Sequence, residues 1–441
     1  MNFFKRSFTL VVLAGFLLFY SLKSWETQKV IEWDITLYYS YLPAAFIEKD
    51  FDLSKVTSPE WGERHFYTYQ DEEGNHYVKM TSGLSILWTP FFLGAHEFAK
   101  NNPQFEANGF SLPYRYALML SSLLFALAGI YCLARFLLNY FSEQAAVISV
   151  LAIFLGTNML YYTFYSPMSH VYSFALISFI LLQTQNYLRS SKLWRPILLG
   201  LAAGLLVLIR PVNVIALLFP ILVLIKERQA LHAPRLIKHL LLTILFAFLA
   251  CLPQLLYWKH LTGNWIVYSY NNEGFFFADP EIWKGLFSYR KGWFLYAPVL
   301  FLAIPGFFFL YKKDRFITSA SVVVLLLAFW IVFSWWCWWY GGSFGSRPLI
   351  EYLPFMALPL AALVDWVFSQ SRWIKVSLIS LLVSLTLLGT FKNWQYSIGL
   401  VHFDSMSKEL YWELMFKTKY PPNYSEKLNP PDYEAAKINA G

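Results

Sequence analysis

Trp33-Asp34 stands just past the first long apolar run of the chain, and Tyr38, Tyr39, Tyr41 and Pro43 follow it. A carboxylate at the edge of so apolar a segment is costly, which makes it a functional candidate. Asp34, Tyr38, Tyr41 and Ala45 fall at i, i+4, i+7 and i+11, so one helix face would set the acid above two phenols. A carboxylate placed this way can accept the proton of an attacking hydroxyl. The plain alternative is that Asp34 is the N-cap of that helix.

Cations recur along the chain at what the threading below makes the same depth. Arg210 ends the apolar stretch 200–209 and precedes Pro211-Val212-Asn213; the tight Arg-Pro turn suits a fixed phosphate ligand better than a snorkelling side chain. Lys79 precedes Met80-Thr81-Ser82-Gly83, and His170 follows Ser166-Pro167-Met168-Ser169 in the shortest outer loop. Arg347 closes Gly341-Gly342-Ser343-Phe344-Gly345-Ser346, where glycines permit close backbone approach, and Glu351 is its i,i+4 ion-pair candidate. Arg115 and Arg290-Lys291 directly precede apolar runs, where cations either bind lipid phosphate or anchor among headgroups. One acid among several cations suits an anionic, lipid-linked substrate and a hydroxyl nucleophile. Asp34 is then the catalytic candidate, with Lys79, His170, Arg210, Arg347, Tyr38 and Lys291 on the substrate. Asp50-Phe51-Asp52 has the spacing by which soluble sugar transferases hold a metal and a nucleotide, but here it reads as a solvated turn.

These residues must be positioned by membrane helices. Of the 441 residues 57% are hydrophobic, 20% aromatic and only 14% charged, against about 25% charged in soluble proteins. Cys132, Cys251 and Cys337 show no paired spacing, so neither a disulfide framework nor a zinc site is implied. The net charge of +8 comes from short clusters between apolar runs, a pattern of topology and not of nucleic-acid binding. Lys5-Arg6 and the following apolar run mimic a signal peptide but lack a small-x-small cleavage site, so the run is expected to be a retained first helix.

A crossing helix needs roughly 20 apolar residues. The candidates are 8–24, 114–137, 145–162, 171–188, 195–210, 211–226, 236–257, 294–311, 316–335, 349–368 and 373–391, with a hairpin at Arg210-Pro211. The apolar segment 84–99 is short. If it does not cross, Lys5-Arg6, Arg135, Arg189-Lys192-Arg195, Lys226-Arg228-Arg235-Lys238, Lys312-Lys313-Arg315 and Arg372-Lys375 all face one side, as the positive-inside rule requires. The expectation is about eleven crossings, with 84–99 re-entrant or interfacial. The N-terminus lies inside; loops 25–113 and 258–293, the turn 336–348 and a mostly irregular tail 392–441 lie outside. The Trp-rich 335–340 stretch would sit at the outer interface.

In this order and topology the chain resembles the GT-C glycosyltransferases, in particular bacterial members similar to protein O-mannosyltransferases and the aminoarabinose transferases of lipid A. The resemblance rests on Trp33-Asp34 to Tyr39, the stretch 79–90, Tyr114-Arg115-Tyr116, Gly200-Leu-Ala-Ala-Gly204 to Arg210-Pro211, Lys291-Gly-Trp-Phe-Leu-Tyr296-Ala-Pro298, and Trp339-Tyr340-Gly341-Gly342 to Arg347. It implies an all-α integral membrane protein, a GT-C type bundle whose long first outer loop carries juxtamembrane helices. Residues 1–391 would form the catalytic domain and 392–441 an extracytoplasmic tail. The implied activity is inverting transfer of a sugar from a polyprenyl-phosphate carrier to a hydroxyl of a glycan, lipid or protein, on the outer face of a bacterial cytoplasmic membrane. Asp34 would be the base, with Lys79, Arg210 and Arg347 near the phosphate. The chain departs from the pattern in offering His170 where many relatives carry a second acid, and Ile35 directly after Asp34. Both departures leave the acceptor and a divalent cation open.

Two rival readings follow from the composition. A transporter or flippase for lipid-linked glycans would show repeated halves and polar groups at mid-membrane, whereas no repeat is visible and the polar groups collect at one edge. A non-enzymatic scaffold would give Asp34 and Arg210 nothing to do.

Overall fold

The computed structural model of the chain describes residues 2–52, 69–70, 76–227, 233–270 and 273–438. The described residues are overwhelmingly helical, with one two-residue strand pair, Tyr69–Gln70 antiparallel to His76–Tyr77. Six helices are long and apolar enough to cross a membrane: Phe3–Leu22, Leu112–Leu137, Arg235–Thr262, Arg315–Phe333, Arg347–Phe368 and Arg372–Ser397.

The other expected crossings are broken or more polar. The 145–162 run divides into Glu143–Gly156 and Met159–Phe164. Asn393 covers the break, donating from Nδ2 to Thr157 O at 3.0 Å and accepting Tyr161 N on Oδ1 at 3.0 Å. Trp194–Ile209 stops at Arg210, which is extended (φ −150°, ψ 108°); Pro211–Leu217 follows as a 3₁₀ turn and Leu218–Lys226 as α-helix. Proline explains the stop, because it disfavours the helical conformation of the residue before it. The 294–311 run holds Trp293–Tyr296, a 3₁₀ turn Pro298–Leu302 and the helix Ala303–Lys313. Ser169–Arg189 is unbroken but carries polar side chains, and it packs against Leu112–Leu137 and Trp194–Ile209. The segment 84–99 lies in one helix, Gly83–Lys100, which is not among the six of crossing length and apolarity.

Burial separates centre from rim. The apolar window of Arg347–Phe368 is 89% buried, against 11% for Arg235–Thr262. That rim helix is held by small residues: a Cβ on Gly200 or Gly204 would lie 2.4 Å from the carbonyl oxygen of Thr243 or Ala247. Gly200-Leu-Ala-Ala-Gly204 is thus a small-xxx-small contact that lets the two helix backbones touch.

The helices also have two chemically distinct ends. At one, Phe4 N donates to Glu143 Oε2 at 3.1 Å, Ser142 Oγ and Lys313 Nζ donate to Asp365 at 2.7 and 3.0 Å, and Lys226 lies 3.7 Å from Asp314. Arg135 sits over the Phe4 ring at the same end. Arg135, Lys226 and Lys313 of the expected basic clusters thus lie at this end, and Arg228 lies outside the described residues. The opposite ends of these helices carry Arg115, Arg210, Arg347 and Glu351.

The tail is mostly irregular, as expected, but it is not loose. The last long helix runs to Ser397, and the tail beyond it contains the short helices Lys408–Glu413 and Tyr433–Lys437 and is docked back on the preceding chain. Gln395 Nε2 donates to Leu414 O and Lys417 O at 2.7 and 2.8 Å, and Tyr411 OH donates to Leu295 O at 2.9 Å. Part of the Trp-rich stretch serves this docking, since Cys337 and Trp339 are buried against Tyr433 and Ala436.

Candidate functional site

Asp34 opens the short helix Asp34–Tyr39. Trp33, in a positive-φ conformation (φ 54°), is the residue that caps it. Asp34 is therefore the first helical residue and not the N-cap, and its carboxylate turns to another element. Arg347 NH2 donates to Asp34 Oδ2 at 2.8 Å, with side chains 15% and 22% exposed. The pair is sheltered yet still open to a substrate.

Glu351 is not the partner of Arg347, contrary to the i,i+4 expectation. Arg347–Tyr352 is a 3₁₀ helix, in which positions three apart are eclipsed and a fourth is turned about a third of a circle away. Glu351 points instead to Arg210 and His170. Arg210 Nε lies 3.3 Å and His170 Nδ1 2.8 Å from Glu351 Oε1, and Arg210 NH1 lies 3.2 Å from His170 Nδ1. His170 and Glu351 are completely buried. His170 therefore braces the Arg210–Glu351 pair, and the expected contact of its ring with sugar or phosphate is not available in this arrangement.

The Asp34 helix is stitched to the end of Trp194–Ile209. Tyr38 OH donates to Ile209 O at 3.4 Å, Tyr41 OH to Met80 O at 2.8 Å, and Thr81 Oγ1 to Leu208 O. Gly83 is required here, since a Cβ would stand 2.8 Å from Ile209 N. Lys79, just before this stretch, is engaged: Nζ lies 2.6 Å from both carboxylate oxygens of Glu273 and over the Tyr270 ring. It is a neutralised cation here and not an open phosphate ligand.

Lys291 is corrected more strongly. It is 1% exposed, and its ammonium donates to Ser343 O and Phe403 O. Burial pushes its pKa well below the ordinary lysine range, and the Arg347 charge pushes in the same direction. Lys291 thus ties the glycine-rich turn before Arg347 to the tail and presents nothing to a substrate. Arg290 donates to Asp404 O at 2.7 Å, and Arg115 donates to Trp25 O at 3.2 Å and to Gln28 Oε1; both are anchors of loops. Asp52 makes an exposed pair with His260 at 3.2 Å, in keeping with a solvated turn.

Sequence reasoning named Tyr38 but missed Tyr270, Tyr340, Tyr162 and one acid, which complete the cluster. Tyr38, Tyr270 and Tyr340 have raised pKa values because they are buried, with the Arg210 charge opposing the shift, so they remain protonated donors. Tyr162 OH accepts Phe344 N at 2.9 Å, in the same turn that delivers Arg347. Glu273 carries no spacing signal, because its partner Lys79 is 194 positions away. Among the described residues no group of three or more His, Cys, Asp or Glu side chains is arranged to hold a metal ion.

No model of a known protein family matches the chain, and no curated protein matches it. The chemistry of the cluster therefore rests on its own geometry. An acid held by an arginine lies beside a second arginine held by a buried acid, under a canopy of protonated phenols. The two arginines lie close enough for their charges to act on each other.

Proposed function

We propose that the chain is a membrane-embedded glycosyltransferase of the GT-C type, with about eleven crossings and its site on the outer side. It would transfer a sugar from a polyprenyl-phosphate carrier to an acceptor hydroxyl with inversion. The observation that carries this reading is the Asp34–Arg347 pair at 2.8 Å with Arg210 alongside. The acceptor O–H gives its proton to the free oxygen of Asp34 while the acceptor oxygen attacks the anomeric carbon. The bond from that carbon to the carrier phosphate breaks, and its electron pair leaves on the phosphate. Arg210 and Arg347 stabilise the charge that develops there. Tyr38 and Tyr270 line the sugar pocket, where their O–H groups would turn to the sugar from the long hydrogen bonds to Ile209 O (3.4 Å) and Met80 Sδ (3.7 Å).

The test is transfer in proteoliposomes loaded with undecaprenyl-phosphate-linked sugars, paired with mass spectrometry of envelope glycans from cells with and without the protein. Asp34→Asn is expected to lose nearly all transfer while still binding donor. Near-normal turnover by that variant sinks the assignment. Movement of the lipid across the bilayer without any transfer would favour a flippase.

A further inference from the structure

We infer a second binding site, for an uncharged saccharide, in the cavity between the outer loop 273–293, the Trp-rich stretch 335–339 and the docked tail. The inference rests on this cavity and not on the role of Asp34. The cavity measures about 440 Å³, the scale of a small-molecule site. Neither Asp34, Arg210 nor Arg347 lines it.

Its walls suit a sugar in three ways. Trp335, Trp336, Trp338 and Trp339 line it together with Tyr289. Trp338 and Trp339 stand nearly perpendicular (83°, centroids 5.6 Å apart), so they offer two differently oriented flat faces. A pyranose presents an apolar C–H face to such a ring and hydroxyls around its edge, while an indole adds a polar N–H. Asn429, on the wall that the tail supplies, adds an amide that can both donate to and accept from sugar hydroxyls.

The charge at the rim is balanced. Asp279, Glu281 and Asp432 face Lys284, Arg290 and Lys408. Several are already committed: Lys284 pairs with Glu281 at 2.6 Å, Arg290 donates to Asp404 O, and Asp432 caps the helix Tyr433–Lys437. A lining with no net charge has no Coulombic preference for a phosphate or a uronate, which points to a neutral ligand. The site exists because the tail docks, since Ser407, Asn429 and Pro431 supply one wall.

The experiment is saturation-transfer NMR on the full chain in nanodiscs, with maltose, cellobiose and chitobiose as neutral probes and glucose 6-phosphate as the anionic comparator. Transfer to at least one neutral disaccharide is expected, weakened about tenfold in affinity by Trp338→Ala, partly kept by Trp338→Phe, and unchanged by Asp34→Asn. The ring-retaining variant and a thermal melt of each protein separate loss of the platform from loss of the fold. Absence of transfer to every neutral probe, equal transfer in folded Trp338→Ala, or stronger transfer to glucose 6-phosphate would each overturn the inference. An Asp34→Asn protein that fails to transfer sugar yet still binds disaccharide would leave this site standing apart from the catalytic reading.

Discussion

Arg347 and Asp34 meet at 2.8 Å across 313 positions of sequence, whereas Arg347 and Glu351, four positions apart, serve different partners. The result is two acid–arginine pairs side by side in place of one local pair. One pair is accessible at both members, and the other only at Arg210, its acid being covered by His170.

The difference in exposure ranks two substitutions. Glu351→Gln removes a fully buried carboxylate that serves both Arg210 and His170 and should cost on the order of 3–5 kcal/mol. Asp34→Asn removes a carboxylate that is 22% exposed and has a single ion-pair partner among the described residues, Arg347, and should cost about 1–2 kcal/mol. Thermal melts of the purified variants in one detergent should show the larger drop for Glu351→Gln. The reverse order would mean that the pair with the covered acid is not the structural one.

Coupling between Asp34 and Arg347 is open to a double-mutant cycle. Arg347→Gln and Asp34→Asn should each lower stability, and the double variant should lose less than the sum, by about 1 kcal/mol or more. Arg347→Lys should keep the charge yet still reduce transfer strongly, because an ammonium cannot reproduce the planar fork.

Lys291 gives a pH prediction with a definite sign. The unfolded chain keeps the Lys291 proton up to the ordinary lysine value, while the folded chain releases it well below that value. Between the two, the unfolded state binds more protons, so stability rises with pH across the window and falls on acidification through it. Lys291→Met should flatten this rise in melting temperature. It should also orphan Ser343 O and Phe403 O, loosening the tail, at about 1–3 kcal/mol per carbonyl. Limited proteolysis beyond residue 398 reads the loosening.

Gly204→Val tests the rim contact. The added side chain meets Ala247 O and should separate the two helices, costing about 1–3 kcal/mol. Because Trp194–Ile209 ends at Arg210, sugar transfer should fall even though no site residue is altered. Leu201→Val, at a half-buried position of the same helix, is the comparison; equal losses in the two would sink the explanation.

The sequence by itself determined a helical molecule of membrane character, the broken helix at Arg210-Pro211, and Asp34, Arg210 and Arg347 as companions. Those are consequences of hydropathy, proline geometry and the cost of charge beside lipid, all of which act locally. Only the tertiary structure decided who pairs with whom. A 3₁₀ turn directed Glu351 away from Arg347, a loop acid 194 positions distant neutralised Lys79, and two carbonyls from remote segments consumed Lys291. Each outcome depends on where separate elements pack, and spacing along a chain carries no record of a partner that arrives from another helix.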